Sequence, residues 1–340
     1  MKKISIIGLD LAKRIFQVHG IDEDHQVVIQ KSLQRSELLA WFGQLEPCLV
    51  GMEACATAHY WAREIGKLGH DVKLIPPVYV KPYVRRQKND RADAAAICEA
   101  VSRPSMRFAG TKTIGQQTVQ VLHRSRELLI KQRVQLSNAL RAHLAEFGWI
   151  FPQGNAGLDQ AIDFVRDTHD ADLPAALWDV FRYQVAQLTN LRAAIAGLNK
   201  RMVAWHRADG DSKRLATIPG VGVVTASAIL ASIGNGKQFK SGREFSAWIG
   251  LVPRQNSSGG KEKLGRISKQ GNRYLRHLLV AGATAYLRGK RCENAAGGIW
   301  FSQLLHRKPG RVASVALANK MARIAWAVLT TGEYYRSTAA

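Results

Sequence analysis

Four carboxylates in the first hundred residues stand where a fold would bring them to one place. Asp10 and Glu53 each close a short apolar run, Ile4-Ser5-Ile6-Ile7-Gly8-Leu9 and Cys48-Leu49-Val50-Gly51-Met52, so each is expected at the C-terminal end of a buried strand. Asp90 and Asp93 lie in Lys88-Asn89-Asp90-Arg91-Ala92-Asp93-Ala94, ahead of an alanine-rich stretch. Three residues apart at the start of a helix, they share one face of its first turn. Like charges held that close raise each other's pKa unless a cation lies between them, and an all-oxygen ligand set suits Mg2+. Two such ions about 4 Å apart can clamp the attacking and leaving oxygens of a phosphodiester. Each acid alone has a plainer reading. Asn89 or Asp90 can cap a helix whose dipole favours Asp93, and an acid at a strand end can simply open a loop. The four together point to a metal site.

These acids need elements to hold them. Residues 14–19 and 26–30 read as second and third strands joined by Gly20-Ile21-Asp22-Glu23-Asp24, and connections that short require antiparallel pairing. Ser36 is expected to cap a helix over 36–44, with Leu38, Leu39 and Phe42 on one face. A helix over 58–68, a strand over 72–75 and the stop Pro76-Pro77 lead into the helix of Asp90 and Asp93. Three antiparallel strands, helix, strand, helix, strand, helix is the order of a ribonuclease H-like α/β sheet.

Residues 113–147 contain no proline, and Leu122, Leu129 and Leu136 recur every seven residues, extended by Leu140 and Leu144. A long helix in a coiled coil or hairpin is expected, with His123, Arg124, Arg126, Lys131, Arg133 and Arg141 on its other faces. A loop over 148–159, with Pro152, Gly154 and Gly157, should break it. A second helix over 174–205 would pack back against the first or against another copy of the chain.

The last third is where cations gather. Ile218-Pro219-Gly220-Val221-Gly222 opens an apolar helix that runs to Ile233. It has the form of a helix-hairpin-helix turn, in which free N–H groups, here around Gly220 and Gly222, hold a phosphate without reading bases. Between Leu251 and Arg291 lie Arg254, Lys261, Lys263, Arg266, Lys269, Arg273, Arg276, Arg288, Lys290 and Arg291 against one acid, Glu262. Such a stripe neutralises phosphates and binds in a salt-dependent way. Inside it, Gln255-Asn256-Ser257-Ser258-Gly259-Gly260-Lys261 presents two hydroxyls on a glycine turn. By composition they are ordinary turn residues.

With 340 residues, two or three domains are expected. The 49 Lys and Arg against 26 Asp and Glu leave a net charge of +23, which favours a polyanionic partner, nucleic acid before an acidic membrane. Cys48, Cys55, Cys98 and Cys292 form no CxxC pair, so reduced thiols in a cytoplasm are expected rather than zinc or disulfides. The apolar run at the N-terminus is too short for a signal peptide, and no uninterrupted apolar run reaches membrane-spanning length.

Gly8-Leu9-Asp10, Met52-Glu53-Ala54, the Asp90–Asp93 stretch, Ile218-Pro219-Gly220-Val221-Gly222, and Ser257-Ser258-Gly259-Gly260-Lys261 with Gly265-Arg266-Ile267-Ser268-Lys269 together resemble one family. It is that of the DEDD transposases of bacterial insertion sequences, the bridge-RNA-guided serine recombinases related to the pilin-gene invertase. The resemblance runs from Ile4 to about Val328 and implies three domains. They are a RuvC-like catalytic domain over 1–112, a helical coiled-coil region over 113–208, and a mainly helical transposase domain over 209–340 that carries the helix-hairpin-helix-like element. It implies that Asp10, Glu53, Asp90 and Asp93 bind one or two Mg2+ ions, and that Ser258, with Ser257 one residue away, attacks the DNA backbone to form a phosphoserine-DNA intermediate. It further implies donor and target DNA, a structured bridge RNA, a homodimer or homotetramer with composite active sites, and work at the bacterial nucleoid rather than a membrane. The residues alone also allow a junction-resolving nuclease that activates water with Mg2+, or a nucleic-acid-binding protein without catalysis. No GxxxxGK[ST] loop is present, in keeping with strand rejoining that conserves bond energy.

Overall fold

The structure, a computed structural model, describes residues 3–84, 90–168, 174–261, 263–289 and 298–336. Lys88, Asn89, Glu262, Lys290, Arg291 and Cys292 lie outside them, so the expectation that Asn89 caps its helix is outside the described residues too. The chain divides into two compact units, Met1–Ile114 and Gly115–Ala340.

In the first unit β1 (Ile6–Asp10), β2 (Ile15–Ile21) and β3 (Val27–Gln34) precede α1 (Leu38–Phe42), β4 (Leu49–Glu53), α2 (Ala58–Lys67), β5 (Asp71–Ile75), the short α3 (Pro77–Val80) and α4 (Asp90–Val101). The sheet order is β3-β2-β1-β4-β5. β1 pairs antiparallel with β2 and parallel with β4, and β4 pairs parallel with β5, the arrangement expected of a ribonuclease H-like sheet. The central strands are covered on both faces, which is why they read as unbroken apolar runs. Ile7, Leu9, Val50 and Met52 pack with Leu38, Phe42 and Trp61 on one side, while Ile6 and Leu49 meet Ile97, Ala100 and Val101 of α4 on the other. Ser36 does not cap α1. The helix starts two residues later, and the Glu37 carboxylate turns back to accept the Gln34 N–H at 2.9 Å.

The second unit begins one residue into α5 (Ile114–Ala145) and continues with α6 (Gly154–Asp167) and α7 (Ala175–Ala208). Arg126 Nε donates to Asn199 Oδ1 at 2.6 Å, and Gln184 Nε2 meets His143 Nδ1 at 2.9 Å. Those two pairs run in opposite directions along the chain, so α7 returns antiparallel to α5. The break expected over 148–159 is shorter, because α6 begins at Gly154 (φ +94°), and a Cβ on Gly157 would lie 2.0 Å from the Pro152 carbonyl oxygen. These glycines make a tight entry into a helix whose Leu158, Ile162 and Val165 pack on Trp178 and Phe181. His123 is not on a polar face. It is 3% exposed, with Nδ1 3.0 Å from the Tyr274 hydroxyl and Nε2 3.1 Å from Ser227 Oγ.

The rest comprises α8 (Gly210–Ala216), α9 (Val223–Ile233), α10 (Gly242–Ile249), the hairpin β6 (Pro253–Gln255) and β7 (Leu264–Ile267), α11 (Arg273–Arg288), α12 (Gly298–Arg307) and α13 (Gly310–Thr331). The core is built around α9, α11 and α13, with Ile229, Leu279, Ala318 and Met321 fully or nearly fully buried. Among the described residues α13 is the one helix long and apolar enough to cross a membrane. Half of it is buried in this core, and Lys320 and Arg323 interrupt its apolar run.

Candidate active site

Side chains alternate across a strand, so Ile6, Gly8 and Asp10 of β1 face α4, as do Leu49, Gly51 and Glu53 of β4. Gly8 and Gly51 are paired neighbours in the parallel register. A Cβ on Gly8 would lie 2.1 Å from the Ala94 carbonyl oxygen and 2.4 Å from the Cys98 nitrogen, and one on Gly51 would lie 2.7 Å from Val101 Cβ. Helix α4 therefore rests on a patch of bare backbone two residues upstream of each strand-end acid. That close approach sets Asp90 and Asp93, in its first turn, over Asp10. Carboxylate oxygens of Asp10, Asp90 and Asp93 lie within 4.8 Å of one another, and Glu53 ends the strand beside Asp10.

The acids of this cluster repel one another. Burial, then the charges of Asp93, Asp90 and Glu53, push the Asp10 carboxyl up to about 6. Burial and Asp93 raise Glu53 as well. Among the described residues none of the four acids makes an ion pair, although the chain carries +23. Hard oxygen donors that repel one another suit a divalent cation of the Mg2+ class. The donor set fits such an ion. The two glycines are the functional residues that sequence reasoning missed. Their signal was the same spacing twice, Gly8-Leu9-Asp10 and Gly51-Met52-Glu53.

In the second unit Ser258 and Lys261 close the tip of the β6–β7 hairpin. Lys261 N–H donates to the Ser258 carbonyl at 3.1 Å across Gly259 (φ +56°) and Gly260 (φ +74°). Positive φ at both central positions is the type I′ geometry that matches strand twist. The Ser257 hydroxyl is held inside this turn, accepting from Lys263 N–H and Gln255 Nε2 at 3.2 Å each. The Ser258 hydroxyl makes no hydrogen bond among the described residues.

The expected phosphate ligands divide. Lys261, Lys263, Arg266, Lys269 and Arg273 are exposed. Arg254 Nη2 donates to the Ser268 carbonyl at 3.3 Å. Arg276 Nη1 donates to the Ile249 and Gln270 carbonyls at 2.7 and 2.8 Å, tying α11 to the loops beside it. Gly220 (φ +83°) packs against α11, where a Cβ would meet the Gly282 carbonyl oxygen at 3.1 Å. Gly222 stands exposed at the N-terminal cap of α9.

Residues 7–148 match the family model for DEDD transposases of the IS110 type, described as "Transposase", and residues 212–296 match the one described as "Transposase IS116/IS110/IS902 family". A "Probable family 20 transposase" of Pseudomonas aeruginosa is 48% identical over 98% of this chain and 99% of its own length. The "Transposase for insertion sequence element IS1328" of Yersinia enterocolitica is 41% identical over 98% of this chain and 99% of its own. The "Transposase for insertion sequence element IS1111A" of Coxiella burnetii is 41% identical over 99% of this chain and 92% of its own.

Proposed function

Since the chain belongs to the IS110 family of insertion-sequence transposases, which cut and join DNA, we propose that it does so with Mg2+ held by Asp10, Glu53, Asp90 and Asp93 and with Ser258 as nucleophile. The observation that carries this reading is the convergence of three aspartate carboxylates within 4.8 Å, beside Glu53, with no side-chain cation among the described residues to balance them. Bound Mg2+ would neutralise the phosphate and favour the deprotonated hydroxyl. Ser258 Oγ forms a bond to phosphorus as one P–O bond to a deoxyribose oxygen breaks; the serine proton passes to solvent, and the leaving oxygen takes one from solvent. The freed sugar hydroxyl, or that of a second strand, reverses the exchange, so rejoining consumes no nucleotide triphosphate. The choice of Ser258 over Ser257 is supported by their hydrogen bonds, since the Ser257 hydroxyl is engaged within the turn.

The rest of the reading extends the resemblance. A structured bridge RNA pairs with donor and target DNA. The regions 1–112, 113–208 and 209–340 act as catalytic, helical coiled-coil and transposase domains. The acids of one protomer face the serine of another in a dimer or tetramer, working at the nucleoid. Exposed Lys261, Lys263, Arg266, Lys269 and Arg273, with Arg254, Arg276, Gly220 and Gly222, line the path of the nucleic acid.

The test is a denaturing gel of protein incubated with labelled element-end DNA. Wild type and Ser257→Ala leave label covalently on the protein, and Ser258→Ala and Asp93→Asn leave none. Cleavage by Ser258→Ala that releases free ends without a covalent adduct would overturn the serine step and leave a water-using nuclease. Sequencing the RNA that copurifies from cells holding the native element tests the guide, which should map beside the gene.

A further inference from the structure

Beside the serine hairpin, the second unit has a groove of about 1800 Å³ between the β6–β7 hairpin, the start of α10 and one side of α13. Its composition is two-sided. Its less exposed lining includes Leu251, Val315, Ala316, Ile324, Trp326 and Ala327. At the edges stand Arg243, Arg266, Lys269, Arg311 and Arg323, all exposed. Among the described residues no Asp or Glu lines it, and none of these five side chains forms an ion pair. Unbalanced cations along the rim call for a polyanion. Duplex DNA would meet them with phosphates and leave the apolar floor against water. A single strand satisfies both, with its phosphates on the rim and its unstacked bases on the floor.

We propose that this groove holds single-stranded DNA, a strand freed when the transposase opens its substrate. The inference rests on the transposase reading for the identity of the acid as DNA, and it adds Arg243, Arg311, Arg323 and an apolar contact face to the exposed cations of the hairpin. It does not depend on the metal site or the serine. Val312, 49% exposed, lines the groove next to Arg311 and can be changed with little cost to the core.

The test measures equilibrium binding of the full-length protein, in chelator so that no strand is cut, to an oligothymidylate of about twelve nucleotides, within the usual site size of such grooves. Matched duplex DNA and oligouridylate serve as comparisons. Val312→Asp should weaken oligothymidylate binding at least about tenfold while changing duplex binding less than about twofold. Arg311→Gln with Arg323→Gln should lower the slope of log affinity against log salt by about 1.4, at about 0.7 per lost single-strand phosphate contact. Unchanged oligothymidylate binding in both variants, at wild-type thermal stability, would overturn the groove. So would a parallel loss of duplex binding in Val312→Asp, or a loss confined to oligouridylate, which would make RNA the occupant. Failure of the wild-type chain to bind any of the three at low salt would instead sink the nucleic-acid reading as a whole.

Discussion

Two titrating side chains, one in each unit, give this protein opposite responses to pH. Asp10 is raised from an ordinary 3.8 to about 6 in the fold, so the native state binds its proton more tightly than the unfolded chain does. Its contribution to stability is therefore present below pH 3.8 and lost as pH rises past about 6. The full shift would be worth roughly 3 kcal/mol, and screening at a half-exposed group reduces this to roughly 1 kcal/mol. Hence Asp10→Asn in chelator should raise the melting temperature of the metal-free protein at pH 7.5 and leave it unchanged near pH 4, as read by calorimetry. Adding Mg2+ should reverse the order by stabilising the wild type alone. A wild type more stable than the variant in chelator at pH 7.5 would remove the repulsive cluster from the account. His123 has the other sign. Burial, then Arg126, pushes it from 6.5 down to about 4, so its contribution is present above pH 6.5 and is lost as pH falls toward 4. With the ring 3% exposed, acidification from pH 7 to 4 should cost the second unit roughly 3 kcal/mol. Hydrogen exchange at α9 and α11, where Ser227 and Tyr274 hold that ring, would show it, and protection unchanged at pH 4 would count against it.

At the scale of elements, the site depends on how closely α4 can lie on the sheet. Gly8 meets backbone atoms of α4, which cannot turn aside, whereas Gly51 meets the Val101 side chain. Gly8→Ala should therefore lift the helix, abolish cleavage and cost about 1–3 kcal/mol. Gly51→Ala should be milder and be rescued by Val101→Ala, while no alanine substitution in α4 rescues Gly8→Ala. Cleavage assays and urea midpoints on these variants decide it, and full activity in Gly8→Ala would remove the glycine seat from the account. The acids themselves were legible because apolar runs ending in Asp10 and Glu53 fix both the strand and the face. Other parts were hidden for physical reasons. All three residues of β6 are exposed and β7 is nearly so, so no alternation marks the hairpin. On α5 the heptad leucines Leu122, Leu129 and Leu136 are only half-buried, and the buried stripe is Val119, His123, Ser137, Leu140 and Leu144. Two polar residues in that stripe masked its register, which is why His123 read as a surface residue.

For the whole molecule, the separation of chemistry between units has a consequence for assembly. The acids lie in Met1–Ile114 and the proposed nucleophile in Gly115–Ala340, and nothing in covalent connectivity obliges one chain's serine to serve its own acids. If the acids of one protomer meet the serine of another, then Asp93→Asn and Ser258→Ala, each inactive alone, should complement when mixed. In a mixed dimer one composite site pairs intact acids with an intact serine, and the other pairs both defects. Random mixing at equal amounts makes half the dimers mixed, so about one quarter of wild-type strand transfer is expected. The same arithmetic identifies the chain that forms the adduct, because only the Asp93→Asn protein, which keeps Ser258, should carry labelled DNA. A size tag on one of the two proteins reads this directly on the gel. No activity from the mixture, after subunit exchange is verified by crosslinking the tagged and untagged chains, would place acids and serine of the same protomer together instead.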